Sequence, residues 1–153
     1  MMAENTVNRV GYVLADRYEI IAPAGKGGFS AVWEARDRNL DGKRWAVKEY
    51  RHTGTSKEGR IYRQSLIAEA NLMKRLDHPN IVRVADFIDT GESIFVVMDF
   101  IEGRPLNRVL ADAGGVLPQE GVIDWGIQLC DALGYLHDQK PKPIVYRDMK
   151  PSN

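Results

Sequence analysis

Between Arg17 and Tyr50 the apolar positions fall in short groups rich in β-branched and aromatic residues, broken by turn formers. Tyr18 to Ile21 reads as a strand, and glycines at 25, 27 and 28 mark a tight turn after it. Ala31 to Ala35 forms a second strand, Asp41-Gly42 a hairpin turn, and Trp45 to Tyr50 a third strand. His52 to Arg60 carries no apolar residue and reads as a mobile connection. Helical spacing then takes over, with Leu66, Met73 and Leu76 marking a helix from about Ile61 to Leu76. Pro79 disfavours helix at the residue before it, which fits an end near Asp77. Ile81 to Phe87 and Ser93 to Phe100 are apolar stretches joined by Asp89-Thr90-Gly91-Glu92, a second hairpin. A short helix is expected over Gly103 to Ala113. A longer one, Pro118 to Asp138, carries Val122, Ile123, Ile127, Cys130, Leu133 and Leu136. Three strands, a helix, two strands and then helices make an α+β pattern. Residues 1–17 are polar and mixed, and read as a loosely held lead-in.

Composition narrows the function classes. Lys plus Arg and Asp plus Glu both number 21, so charge gives no argument for a nucleic-acid partner. One cysteine, Cys130, excludes an intramolecular disulfide and favours a reducing, cytoplasmic setting. No apolar run approaches the roughly 20 residues that span a bilayer. The N-terminus lacks the apolar core of a secretory signal. A membrane anchor elsewhere in a longer parent stays open, as does the oligomeric state.

Four local features carry candidate chemistry. The first is Gly25-Lys26-Gly27-Gly28-Phe29-Ser30-Ala31-Val32, in which glycines let backbone amides approach phosphate oxygens where a Cβ would intrude. Read alone, it is equally a glycine-rich hairpin. It is not a Walker-type loop, since no Gly-Lys-Ser/Thr follows and a strand comes next. The second is Lys48, flanked by Val47 and Ala46, which is either a surface residue or one that an anion must pair. The third is Glu69, set among alanines and aliphatics in the first helix, and otherwise a residue of a solvated face. The fourth is Tyr146-Arg147-Asp148-Met149-Lys150-Pro151-Ser152-Asn153 at the end of the chain.

Taken in order, these features resemble the protein kinase family across essentially the whole chain. The glycine run is similar to the family's phosphate-covering G-x-G-x-x-G-x-V loop, with Ser30 in place of the third glycine. Tyr146 to Asn153 is similar to the catalytic loop H-R-D-x-x-x-x-N, with Tyr146 in place of histidine. The resemblance implies a protein-kinase-like α+β fold. It would have an antiparallel five-stranded N-lobe sheet with one helix, followed by the first helices of the C-lobe. It divides the chain into the lead-in 1–17, an N-lobe at 18–98, and a hinge with an incomplete C-lobe at 99–153.

The same resemblance assigns roles. ATP would be the phosphoryl donor, held with Mg2+. Lys48, paired with Glu69, would grip the α- and β-phosphates under the glycine loop. Adenine would lie against Val32 and Ala46 and bond the backbone of Asp99-Phe100-Ile101, with Met98 narrowing the rear pocket. Asp148 would accept the substrate hydroxyl proton, Lys150 would stabilise the transferring group, and Asn153 would ligate magnesium. Arg147 would meet a phosphorylated activation-loop residue. Asp148-Met149-Lys150-Pro151-Ser152-Asn153 is similar to the Ser/Thr class, so protein serines and threonines would be the acceptors. The chain stops inside this motif, which implies a partial domain, inactive alone, whose α-helical stripe of Ile123, Ile127, Cys130 and Leu133 lacks its cover. Two other readings compete: a nucleotide-binding pseudokinase-like or scaffolding module, and a small-molecule phosphotransferase of the same fold.

Overall fold

The computed structural model describes residues 8–26, 30–51 and 56–152. They divide into two compact units, one of Met1–Leu76 with Arg83–Ile101, the other of Asp77–Val82 with Glu102–Asn153.

The first unit is built on one antiparallel sheet. Its strands are β1 (Val13–Leu14), β2 (Tyr18–Lys26), β3 (Ser30–Asp37), β4 (Arg44–Arg51), β5 (Val84–Asp89) and β6 (Ser93–Asp99). They lie in the order β1-β2-β3-β4-β6-β5. Side chains alternate across the sheet, and the two faces bury different sets. One holds Leu14, Tyr18, Ile20, Trp33, Ala35, Trp45, Val47, Phe95 and Val97. On the other, Val84 and Val96 pack with Ala70 and Met73 from α1 (Lys57–Met73), beside Tyr50, Phe87 and Met98.

The sheet has six strands where five were expected, and the extra one corrects the reading of the lead-in. Val13 and Leu14 pair with Glu19 and Tyr18, and Leu14 is only 1% exposed. The segment before them is tied down too. Gly11 N donates to Ile20 O and Ile20 N to Tyr12 O, both at 2.9 Å. The turn into β2 places Ala15 and Asp16 at φ of 50° and 55°, the left-handed region that hairpin turns usually fill with Asn-Gly.

The helix also starts earlier than its apolar pattern indicated. Ser56 caps α1 by accepting a hydrogen bond from Gly59 N at 3.1 Å, and Glu58 sits in the first turn, where a negative charge complements the helix dipole. The turn Lys57 to Arg60, expected to lie in a connection, is therefore helical. At its other end α1 stops at Met73, and Leu76 is buried beyond the helix.

The second unit contains α2 (Leu106–Asp112) and α3 (Gln119–His137). The Asp77–Val82 segment is held to α3: Asp77 N donates to the Tyr135 hydroxyl at 2.9 Å, and His78 Nε2 lies 3.1 Å from Asp131. The His78 ring rests 5.0 Å from that of Tyr135. Helix α3 buries Ala132 and Leu136 and leaves Ile123, Ile127 and Cys130 exposed.

Candidate active site

Strand register gathers five of the expected nucleotide-binding residues, Gly25, Val32, Ala46, Lys48 and Met98, on one face of the first unit. Gly25 stands opposite Val32, Val32 opposite Lys48, and Lys48 opposite Val96, a row running across four adjacent strands. In the next row on the same face, Ala46 is opposite Met98. This is the face on which α1 packs. The alternation of β4 thus sets Ala46, Lys48 and Tyr50 on one side, while Trp45, Val47 and Glu49 enter the core on the other.

Lys48 is half-buried, with Nζ 4.9 Å from the centre of the Tyr50 ring. Glu69, by contrast, is exposed on α1. No ion pair joins Lys48 to Glu69 among the described residues, although both lie in the first unit. Helix α1 seats Ala70 and Met73 on the sheet, and Glu69 is left facing solvent. Gly25 requires no special backbone, and a Cβ built there meets only the Val32 Cβ, at 3.8 Å. The protein's own packing therefore gives no reason for glycine at this position. Gly27, Gly28 and Phe29 lie outside the described residues, as does Asn153; Lys26 ends β2 and Ser30 begins β3.

The start of the connecting segment is held by charge. Lys43 Nζ donates to Asp99 Oδ1 at 3.0 Å, and Arg83 Nε to Asp99 Oδ2 at 3.3 Å. Burial alone would raise the Asp99 carboxyl, but these two cations outweigh it and hold the group below its usual range. Arg44 sits 4.2 Å over the Phe100 ring, and Ile101 just beyond is exposed.

In the second unit Tyr146 to Ser152, the residues expected to form the catalytic loop, are exposed. Lys150 Nζ donates to both Asp148 oxygens, at 2.9 and 2.8 Å. Asp148 N donates back to Tyr146 O at 2.9 Å, and Arg147 between them adopts φ of 61°. A non-glycine residue in the left-handed region is uncommon, and such residues cluster at functional sites. Asn107 N, at the start of α2, donates to Pro151 O at 2.8 Å and anchors the end of the loop.

Two buried carboxylates on the opposite face of the sheet were not anticipated. Glu49 is fully buried and accepts from Arg9 Nη2 at 2.7 Å, Trp33 Nε1 at 3.1 Å and Ser93 Oγ at 3.1 Å. Burial pushes its carboxyl up, while the Arg9 hydrogen bonds and charge, helped by Trp33 and Ser93, bring it below the ordinary value. Asp37 accepts from Arg17 on both oxygens, from Trp45 Nε1 at 2.9 Å, and from the amides of Asn39 and Leu40 at 2.9 and 3.1 Å. Arg17 foremost holds the Asp37 carboxyl down at about 2, with burial opposing and Trp45 and Asn39 assisting. The signal for both was in the alternation: Trp33-Ala35-Asp37 and Trp45-Val47-Glu49 each place an acid at an inward position.

The protein kinase domain family matches residues 18–153. The serine/threonine-protein kinase pkn2 of Myxococcus xanthus is 33% identical over 141 residues, covering 92% of this chain and 16% of the relative. The serine/threonine-protein kinase PkaA of Streptomyces coelicolor is 32% identical over 150 residues, covering 92% of this chain and 26% of the relative. The chain thus spans about a quarter or less of the length of these relatives. Among solved structures, Rad53 1-466 in complex with AMP-PNP aligns with a TM-score of 0.74 at 30% identity, over 90% of this chain and 34% of that one. The kinase domain of M. tuberculosis PknI aligns with a TM-score of 0.77 over 94% of this chain and 55% of that one; at 23% identity this likeness concerns the fold.

Proposed function

The chain belongs to the protein kinase family, and from that membership we propose that it forms part of a serine/threonine kinase catalytic domain, transferring the γ-phosphoryl group of ATP to serine and threonine hydroxyls of proteins. The observation that carries the reading is the row Gly25–Val32–Lys48, with Ala46 and Met98 beside it on the same face. A small-residue strand end, a cation and an apolar platform on one sheet face suit triphosphate and base. With no Cβ at Gly25, its backbone is free of a side chain that phosphate oxygens would have to approach past. The neighbour Rad53, solved with AMP-PNP, supports the choice of ATP.

In this reading Lys48 neutralises the α- and β-phosphates, and the backbone of Asp99 to Ile101 bonds the adenine edge. Asp148 takes the proton of the acceptor hydroxyl while the hydroxyl oxygen bonds to the γ-phosphorus. The bond to the β-phosphate oxygen breaks, and ADP leaves with the electron pair. Lys150, already on Asp148, is placed to offset charge on the transferring group. The left-handed Arg147 turns the backbone between Tyr146 and Asp148.

Magnesium would neutralise the phosphates. Among the described residues no group of three or more His, Cys, Asp or Glu side chains could hold it, and the expected ligand Asn153 lies outside them. The described residues alone therefore do not make the site, and no step above depends on it. No described helix is long and apolar enough to cross a membrane. The lone Cys130 favours the cytoplasm.

The separation of Lys48 from Glu69 favours a second reading, in which the domain binds nucleotide and serves as a scaffold. Phosphate transfer from labelled ATP by the full-length protein separates the two. A kinase gives transfer that Lys48→Met lowers by orders of magnitude, because catalysis here is mostly positioning and charge stabilisation. Nucleotide binding without transfer selects the scaffold, and near-normal kcat/KM in Lys48→Met removes Lys48 from its role.

A further inference from the structure

We propose that Lys43, Arg44 and Arg83 are positioning residues that clamp Asp99 and Phe100, and so fix the backbone with which this segment reads the adenine edge. The inference deepens the kinase reading above and rests on it.

The clamp closes from both faces of the sheet. Asp99 is the last residue of β6 and stands opposite Trp45 on β4. Lys43, on the Trp45 side, places Nζ 3.0 Å from Asp99 Oδ1 and 4.3 Å from the centre of the Trp45 ring. Arg44, its chain neighbour, points to the opposite face by strand alternation. There it is held by Glu34, with Nε 2.7 Å from Oε1, and covers Phe100. Arg83 reaches Asp99 twice: its Nε bonds Oδ2, and its carbonyl accepts from Asp99 N at 3.0 Å. Two successive residues of the segment are thus gripped from opposite sides, by side chains from the β3–β4 hairpin and from the approach to β5. The grip ends there, since Ile101 is 65% exposed.

Single exposed ion pairs stabilise little. Asp99, however, is shared by two cations and its side chain is only 27% exposed. The place of the clamp gives it a consequence for binding. The backbone of Asp99 to Ile101 is the part expected to meet the base, and its course is set where Asp99 and Phe100 are anchored. Base recognition by hydrogen bonds tolerates little displacement, whereas Lys48 lies within β4 and Asp148 belongs to the second unit. Loosening the clamp should therefore raise KM for ATP and blur base selectivity while sparing kcat, the pattern of lost uniform binding.

The test compares full-length wild type, Lys43→Met/Arg83→Met and Lys43→Arg/Arg83→Lys with ATP and GTP in magnesium chloride. The charge-removing pair is expected to raise KM for ATP about three- to tenfold, with kcat within about twofold. Its preference for ATP over GTP should fall, and its thermal unfolding midpoint should stay near wild type. The charge-conserving pair should recover most of the KM. An unchanged KM and base preference in a folded Lys43→Met/Arg83→Met protein overturns the clamp alone, as does a fall in kcat with KM unmoved. Failure of the wild type to bind ATP overturns the kinase reading and the clamp with it.

Discussion

Replacing Asp37 with asparagine probes the most heavily bonded carboxylate of the first unit. The side chain is buried and accepts from Arg17, the Trp45 indole and two amides of the β3–β4 turn. Holding the carboxyl at about 2 instead of 3.8 corresponds to about 2 kcal/mol of preference for the charged form. Arg17 is 34% exposed, so solvent screening brings that to about 1–2 kcal/mol. Asparagine also has one acceptor oxygen in place of two, and its amide must face either the Trp45 N–H or the turn amides. A buried donor left without a partner costs about 1–3 kcal/mol. Together the substitution should destabilise by about 2–5 kcal/mol at pH 7. The sign follows from the depressed pKa: the charge contributes fully above the unfolded value of 3.8, and its contribution is lost as pH falls through the folded value near 2. Urea unfolding followed by tryptophan fluorescence, repeated from pH 7 to pH 2, should show the two proteins converging between about pH 4 and pH 2. A difference below about 0.5 kcal/mol at pH 7, or one that stays constant over the series, would refute the reasoning.

Two further predictions follow from neighbouring features. Arg9→Met should destabilise by about 3–5 kcal/mol in urea, because it leaves Glu49 buried without its cation; a loss under about 1 kcal/mol would show the N-terminal contacts to be incidental. If Lys48 and Glu69 meet when nucleotide is turned over, Lys48→Met and Glu69→Gln should be strongly non-additive in kcat/KM. Additive losses would mean the pair never forms.

Much of the sheet was legible because local chemistry and tertiary packing agree. The alternating β3 and β4 segments sit between an Asp41-Gly42 turn and a glycine-rich turn, so period and punctuation coincide. The second hairpin, Asp89 to Ser93, was legible for the same reason. Strand β1 was not. Its two residues carry no period, its turn uses Ala15-Asp16 instead of an Asn-Gly signal, and the segment before it is held by Arg9 reaching Glu49, 40 residues away. The first turn of α1 has no apolar residue, and only Ser56 three positions before Gly59 marked it. For the site, strand register placed Gly25, Val32, Ala46, Lys48 and Met98 on one face, which alternation implies. The relation of Lys48 to Glu69 depends on how α1 is turned on the sheet, and no local pattern encodes that. The cations around Asp99 were missed because they come from two separate segments and read as ordinary surface charge.

The central claim is phosphoryl transfer to alcohol side chains with Asp148 as the proton acceptor. The most direct measurement incubates full-length wild type and Asp148→Asn with labelled ATP, magnesium chloride and a generic protein substrate, then hydrolyses the product for phosphoamino-acid analysis. The account predicts phosphoserine and phosphothreonine from the wild type, and a loss of label of at least about 10²-fold in Asp148→Asn, the lower range for a positioned general base. Label on tyrosine, or equal transfer by the two proteins, would contradict it.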